Sequence, residues 1–118
     1  MAQPRILVAE DERIIAADLC DTVEEAGYEV VGPHADMSSA MLACNKQKPD
    51  LAILDVHLTD GAVYPLAEKL ADENVPIIFH SGHISRDEVR AAFPSAPTLA
   101  KPCPPDQLIA EVGKALAD

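Results

Sequence analysis

Short runs of apolar, often β-branched residues alternate along this chain with longer stretches whose apolar residues recur every three to four positions, and few folds accommodate that alternation. Arg5-Ile6-Leu7-Val8-Ala9, Leu51-Ala52-Ile53-Leu54 and Pro76-Ile77-Ile78-Phe79-His80 are apolar almost throughout, as strands covered on both faces are. From Glu12 to Ala26 the residues Ile15, Leu19, Val23 and Ala26 fall on one helical face, and Gly27 follows as the terminating residue. Tyr28 to Gly32 reads as a second strand, and Asp36 or Ser38 can cap a helix to about Gln47 that carries Met41, Leu42 and Cys44. Val63 to Glu73 is helical, with Val63, Leu66, Ala67 and Leu70 on one side and Pro65 in the first turn. Ser85-Arg86-Asp87-Glu88 has the form of a capping box, which opens a short helix to about Phe93. Pro97 to Ala100 makes a brief strand, and Pro105 to Ala117 a last helix with Leu108, Ile109, Val112 and Leu116 inward. Five strands alternating with five helices predict an α/β fold: a doubly wound, open parallel sheet with helices on both faces. No repeat, linker or low-complexity tract divides the chain, so residues 1–118 are expected to form one domain.

Composition narrows the function classes. An apolar fraction of 48% excludes intrinsic disorder. No apolar run approaches the ~20 residues of a membrane span, and no basic segment followed by an apolar one opens the chain. With 20 acidic against 9 Lys and Arg residues, the formal charge is −11, which argues against a direct grip on nucleic acid phosphates. Cys20, Cys44 and Cys103 are odd in number and form no CxxC, so they fit neither a disulfide framework nor a zinc finger. The expectation is a compact, soluble, cytoplasmic domain with reduced cysteines.

Open α/β sheets place their sites at the carboxyl ends of the strands. Glu10-Asp11-Glu12 follows the first strand, Asp55 the third, Ser81-Gly82 the fourth and Lys101-Pro102 the fifth. In the strand order 2-1-3-4-5 these four strands are neighbours and their ends converge on one rim; the second strand, at the edge, contributes nothing reactive. Clustered carboxylates repel one another unless a hard divalent cation neutralises them, and Mg²⁺ suits an all-oxygen set that leaves room for a phosphate oxygen. Lys101 supplies a compact positive charge for Asp55 or a phosphoryl group on it, and the Ser81 hydroxyl can donate to a phosphoryl oxygen. Together these groups suit phosphoryl transfer to an aspartate.

The segments ILVAEDE, LAILDVHLTDG, PIIFHSG and LAKP resemble, in order and spacing, the four signature segments of response-regulator receiver domains, and the resemblance covers essentially the whole chain. It implies the flavodoxin-like (βα)5 fold of that family and a phosphoprotein role in two-component or phosphorelay signal transduction. Residue by residue it implies Asp55 as the phosphoacceptor, Asp11 as a direct Mg²⁺ ligand and Glu10 as one acting through water. The backbone carbonyl of His57 would be a further metal ligand, with Mn²⁺ an alternative ion; Ser81 and Lys101 would stabilise the phosphoryl group. A cis Lys101-Pro102 bond is also implied. The chain would then be a switch with self-catalysed aspartyl phosphorylation and slow dephosphorylation rather than an enzyme. A histidine kinase or histidine phosphotransfer protein would be the donor, docking along Glu12 to Ala26, and an unknown protein would receive the output.

The sequence also departs from the family pattern. Thr98 stands where receivers usually carry the aromatic residue of the switch, and the stretch from Arg86 to Thr98 is short and contains Pro94 and Pro97. A truncated or mobile fourth helix is therefore expected, with signalling through that helix and its loop. His57 and His83 fall at positions that flank the phosphoryl group in receivers and tune its hydrolysis. His57, His80 and His83 near Asp55 also leave open a transition-metal site, although loop or half-buried histidines are the plainer reading. Cys103 lies just past Lys101-Pro102, where an exposed position is expected, but nothing lowers its pKa. An aspartate-dependent phosphatase of the haloacid-dehalogenase type would need D-x-D, and here the second position is His57. A flavodoxin-like cofactor binder would need a phosphate-accepting first loop, which Glu10-Asp11-Glu12 is not. A pseudo-receiver that only binds partners remains the alternative, and the sequence fits either a stand-alone receiver or a part of a longer regulator.

Overall fold

Apolar runs at the expected places pair into one parallel sheet. The computed structural model describes residues 3–82 and 86–117, so the Ser85 cap and His83 lie outside the described residues. The strands are β1 (Arg5–Ala9), β2 (Glu29–His34), β3 (Leu51–Leu54), a short hairpin of β4 (His57–Leu58) and β5 (Gly61–Ala62), β6 (Ile77–Ser81) and β7 (Thr98–Ala100). Their helices are α1 (Arg13–Glu25), α2 (Met37–Lys46), α3 (Tyr64–Asp72), α4 (Arg86–Ala92) and α5 (Pro105–Ala117). The main sheet has the order β2-β1-β3-β6-β7, which is 2-1-3-4-5 once the hairpin is set aside. All of its neighbours run parallel.

Two cores lie on the two faces of the sheet. Ile6, Val8, Ile53, Ile78 and Leu99 pack under α1 and α5, against Leu19, Val23, Leu108 and Val112. Leu7, Ala9, Ala52, Leu54 and Phe79 pack under α2, α3 and α4, against Cys44, Leu66, Leu70 and Val89. The central strands are buried on both faces, which explains their continuous apolar spelling. On the second face Phe79 and Phe93 meet with ring centroids 5.3 Å apart, and Phe93 stacks on Tyr64 at 6.1 Å.

Three features depart from expectation. First, β2 runs past Gly32 to His34, through a register shift opposite β1 and a cis Gly32-Pro33 bond. Second, the loop after Asp55 forms the β4–β5 hairpin, which ties itself to the start of α2. Asp36 caps that helix by accepting from the Ser39 amide at 2.9 Å. Asp60 of the hairpin accepts from the Met37 and Ser38 amides at 2.7 and 3.1 Å, and the Met37 N–H foremost lowers its pKa. Third, α1 begins one residue later than expected and ends one earlier, because Glu12 and Ala26 are its caps; Gly27 then takes φ +96°, as its terminating role requires. Among the described residues the fourth helix runs for 7 residues and ends at Ala92, one residue before the expected Phe93.

Gly32 is the backbone position with least freedom. Its φ is +122°, and a Cβ there would stand 2.8 Å from the Val8 carbonyl oxygen and 3.0 Å from the His34 nitrogen. Gly32→Ala is therefore expected to cost about 2–4 kcal/mol, read as a lower urea midpoint at unchanged slope; an unchanged midpoint would contradict the packing described.

Candidate functional site

The alternation of side chains along each strand selects which residues meet at the rim. Val8, Ile53, Ile78 and Leu99 all belong to the core beneath α1 and α5. One further step of two residues leads from them to Glu10, Asp55, His80 and Lys101. These four side chains meet. Lys101 Nζ lies 2.8 Å from Glu10 Oε1 and 3.1 Å from Asp55 Oδ2. His80 Nδ1 lies 3.8 Å from the same Glu10 oxygen, and the Glu12 amide donates to Glu10 Oε2 at 3.1 Å. Oxygens of Glu10, Asp11 and Asp55 all fall within 4.8 Å of one another.

The backbone holds these residues in place. The Asp55 amide donates to the Ala9 carbonyl at 2.8 Å, the Lys101 amide to the Ser81 carbonyl at 3.0 Å, and the Glu10 amide to the His34 carbonyl at 2.9 Å. β2 contributes no reactive side chain, as expected of the edge strand, yet its His34 carbonyl fixes the backbone of Glu10.

Burial governs the electrostatics. Glu10 and Asp55 are 2% and 7% exposed. Burial alone would raise the Glu10 carboxyl, but the His80 ring, the Lys101 ammonium and the Glu12 amide outweigh it and hold the group far below its ordinary range. Asp55 moves the other way, up to about 7, through burial first and then the neighbouring Glu10 charge, which Lys101 offsets only in part. Burial disfavours the charged Lys101 as well, yet Glu10 and Asp55 keep its pKa raised. Three carboxylates against one ammonium leave a local excess of negative charge. An all-oxygen set of this kind fits a hard divalent cation and offers no softer ligand from the described histidines and cysteines.

Ser81 is fully buried, and among the described residues its hydroxyl has no hydrogen-bond partner; the Thr98 hydroxyl is likewise buried and without one there. A buried hydroxyl left so costs about 1–3 kcal/mol, and an arriving anionic oxygen would satisfy Ser81.

Of the three histidines expected to gather, His57 exposes its ring on the hairpin and His80 is buried against Glu10. Among the described residues no histidine joins the oxygen cluster. His80 thus follows the plainer of the two readings, lying deeper than the half-buried position expected and outside the oxygen cluster. The period of two was the signal, since His80 follows Ile78 on the side of the sheet that ends in Glu10 and Asp55. Cys103 is half-buried, and burial pushes its thiol up.

Residues 6–113 match the response regulator receiver domain family. The transcriptional regulatory protein PdtaR of Mycobacterium tuberculosis is 36% identical over 89 residues, which cover 75% of this chain and 43% of that protein. The phyllosphere-induced regulator PhyR of Methylorubrum extorquens is 32% identical over 114 residues, covering 94% of this chain and 43% of that protein. The chain therefore spans less than half the length of these curated relatives. The solution structure of the receiver domain of Erythrobacter litoralis PhyR superposes with a TM-score of 0.87 at 27% identity, covering 99% of this chain and 92% of that one. No helix among the described residues is long and apolar enough to cross a membrane.

The Asp55 shift has a stability signature. Its folded pKa of about 7 lies above its ordinary 3.8, so the folded state binds that proton more tightly. The contribution is favourable at low pH and is lost as pH rises through the folded value. Glu10 works oppositely, but its contribution is complete once pH passes its ordinary 4.5. Between pH 5 and pH 8 in metal-free buffer, wild type should lose on the order of 1–3 kcal/mol relative to Asp55→Asn, measured by urea unfolding. Parallel pH profiles would show that Asp55 is not strained by its burial.

Proposed function

The chain belongs to the response regulator receiver domain family of two-component signalling, and from that membership we propose that it is a phosphoacceptor switch with Asp55 as the acceptor. Residues 1–118 act as one receiver domain in this reading. The observation that carries it is the convergence, within 4.8 Å, of oxygens from Glu10, Asp11 and Asp55, with Lys101 Nζ shared between Glu10 and Asp55. Receiver domains generally bind Mg²⁺. Asp11, which is half-buried, and Asp55 are the proposed direct ligands here, joined by the His57 backbone carbonyl, with Glu10 acting through water. The ion would supply charge neutralisation between these carboxylates and an incoming phosphoryl group.

An Asp55 carboxylate oxygen attacks phosphorus. The bond from phosphorus to the donor's imidazole nitrogen breaks, its electron pair returns to the ring, and Asp55 carries the aspartyl phosphate. Lys101, already held at 3.1 Å from Asp55 Oδ2, pairs with the new anionic oxygens. The unpartnered Ser81 hydroxyl donates to one of them. Hydrolysis later transfers the phosphoryl group to water, releasing inorganic phosphate and restoring the carboxylate. His57, exposed two residues beyond Asp55, is the residue proposed to tune that lifetime.

Thr98 cannot serve as an aromatic switch. The contacts favour coupling through Phe79, two residues before Ser81 on β6, to Phe93 just beyond α4. A shift of Ser81 toward the phosphoryl group would move β6 against that ring and displace the short α4, changing the surface offered to a downstream protein.

Incubation with Mg²⁺ and acetyl phosphate tests the reading, with intact mass as the readout. A gain of one phosphoryl group in wild type, absent in Asp55→Asn and without Mg²⁺, is expected. Amide shifts are expected to extend to α4 and Phe93. A wild type that takes no adduct while remaining folded would leave the partner-binding pseudo-receiver in its place.

A further inference from the structure

We propose that His80 is a positioning residue for Glu10, which takes over the Glu10 Oε1 oxygen when Lys101 turns to a phosphoryl group on Asp55. The proposal rests on the phosphoacceptor reading above. Its starting point is a residue for which the reaction itself has no use. His80 is 3% exposed on a central strand, two residues beyond Ile78 on the side of the sheet that ends in Glu10 and Asp55. Among the described residues its Nδ1 has no hydrogen-bond partner, and a buried polar atom so placed costs stability in that state.

Both oxygens of Glu10 are otherwise served. The Glu12 amide donates to Oε2 at 3.1 Å, and Lys101 Nζ stands 2.8 Å from Oε1. Lys101 is not a permanent partner, because it lies 3.1 Å from Asp55 as well. A phosphoryl group on Asp55 brings close to two negative charges and strong acceptor oxygens to that side, and the ammonium follows them. Glu10 Oε1 would then be an ionised oxygen in the interior without a donor. His80 Nδ1 faces that oxygen from 3.8 Å, so a movement of under 1 Å brings it within hydrogen-bond reach. In the neutral ring with its proton on Nδ1, the N–H donates to Oε1 and no change of ionisation is needed. Glu10 keeps its orientation toward Asp11 while Lys101 is away.

The test uses His80→Leu, which fills the space but has no donor, and His80→Asn, whose amide nitrogen falls near the place of Nδ1. Both are phosphorylated with acetyl phosphate and Mg²⁺ beside wild type, with unfolding midpoints measured in parallel. His80→Leu is expected to slow phosphorylation about tenfold without loss of midpoint, and His80→Asn to recover most of the rate. In ¹⁵N-histidine-labelled wild type, the Nδ1–H signal of His80 is expected to move downfield when beryllofluoride and Mg²⁺ are added. Equal rates in wild type and His80→Leu, or an Nδ1 signal unchanged by beryllofluoride, overturn the role of His80 alone. A wild type that takes no phosphoryl group overturns the phosphoacceptor reading with it. If His80→Leu fails to fold, the Asn variant and the ¹⁵N signal still decide.

Discussion

One ammonium divided between two buried carboxylates sets the terms for the rest of this molecule. Lys101 pairs with Glu10 at 2.8 Å and with Asp55 at 3.1 Å, and it cannot neutralise both. The division is uneven in effect. Glu10, which also has the Glu12 amide and the His80 ring beside it, is held ionised, whereas Asp55 is pushed toward its protonated form. A carboxylate kept in this condition has much to gain from a cation or from exchanging its charge for that of a phosphoryl group. The strain is local because burial denies the group water, and it persists because four neighbouring strands hold its members through their backbones.

The fold serves that arrangement directly. Parallel strands bring their carboxyl ends to one rim, and the period of two delivers Glu10, Asp55, His80 and Lys101 to the same side of it. The opposite side of the sheet carries the aromatic contacts that lead from β6 to α4. A single strand, β6, thus carries Ser81 at the rim and Phe79 against Phe93 on the other face. Val89 of α4 and Phe93 just beyond it pack into the core on that side.

Most of this was legible in the sequence, for physical reasons that differ by element. The central strands could be read because burial on both faces writes them as continuous apolar runs, and α5 because its apolar spacing is regular over its whole length. Asp11, Asp55 and Lys101 were legible as strand-end residues. The β4–β5 hairpin was not, because its two-residue strands are too short to carry a period and are fixed by Asp60 bonding to a helix distant in sequence. The extension of β2 through Gly32-Pro33 was hidden because a glycine followed by a proline ordinarily ends a strand. His80 was legible as a residue of its strand, but its contact with Glu10 was not, because a period of two gives the side of the sheet and not the partner met there. Asp36 and Ser38 were equally good caps by residue type; the Asp36 carboxylate takes the Ser39 amide, and the Ser38 hydroxyl donates to Asp60 instead.

The account stands or falls on whether this excess of negative charge is a metal site. Titration of ¹⁵N-labelled protein with Mg²⁺ at neutral pH, followed by amide shifts beside Asp55→Asn, addresses it most directly. Saturable shifts centred on residues 10–11 and 55–57, markedly weakened in Asp55→Asn, are the predicted result. A wild type whose amides at those positions do not respond, or respond no more than those of exposed carboxylates elsewhere, would contradict it.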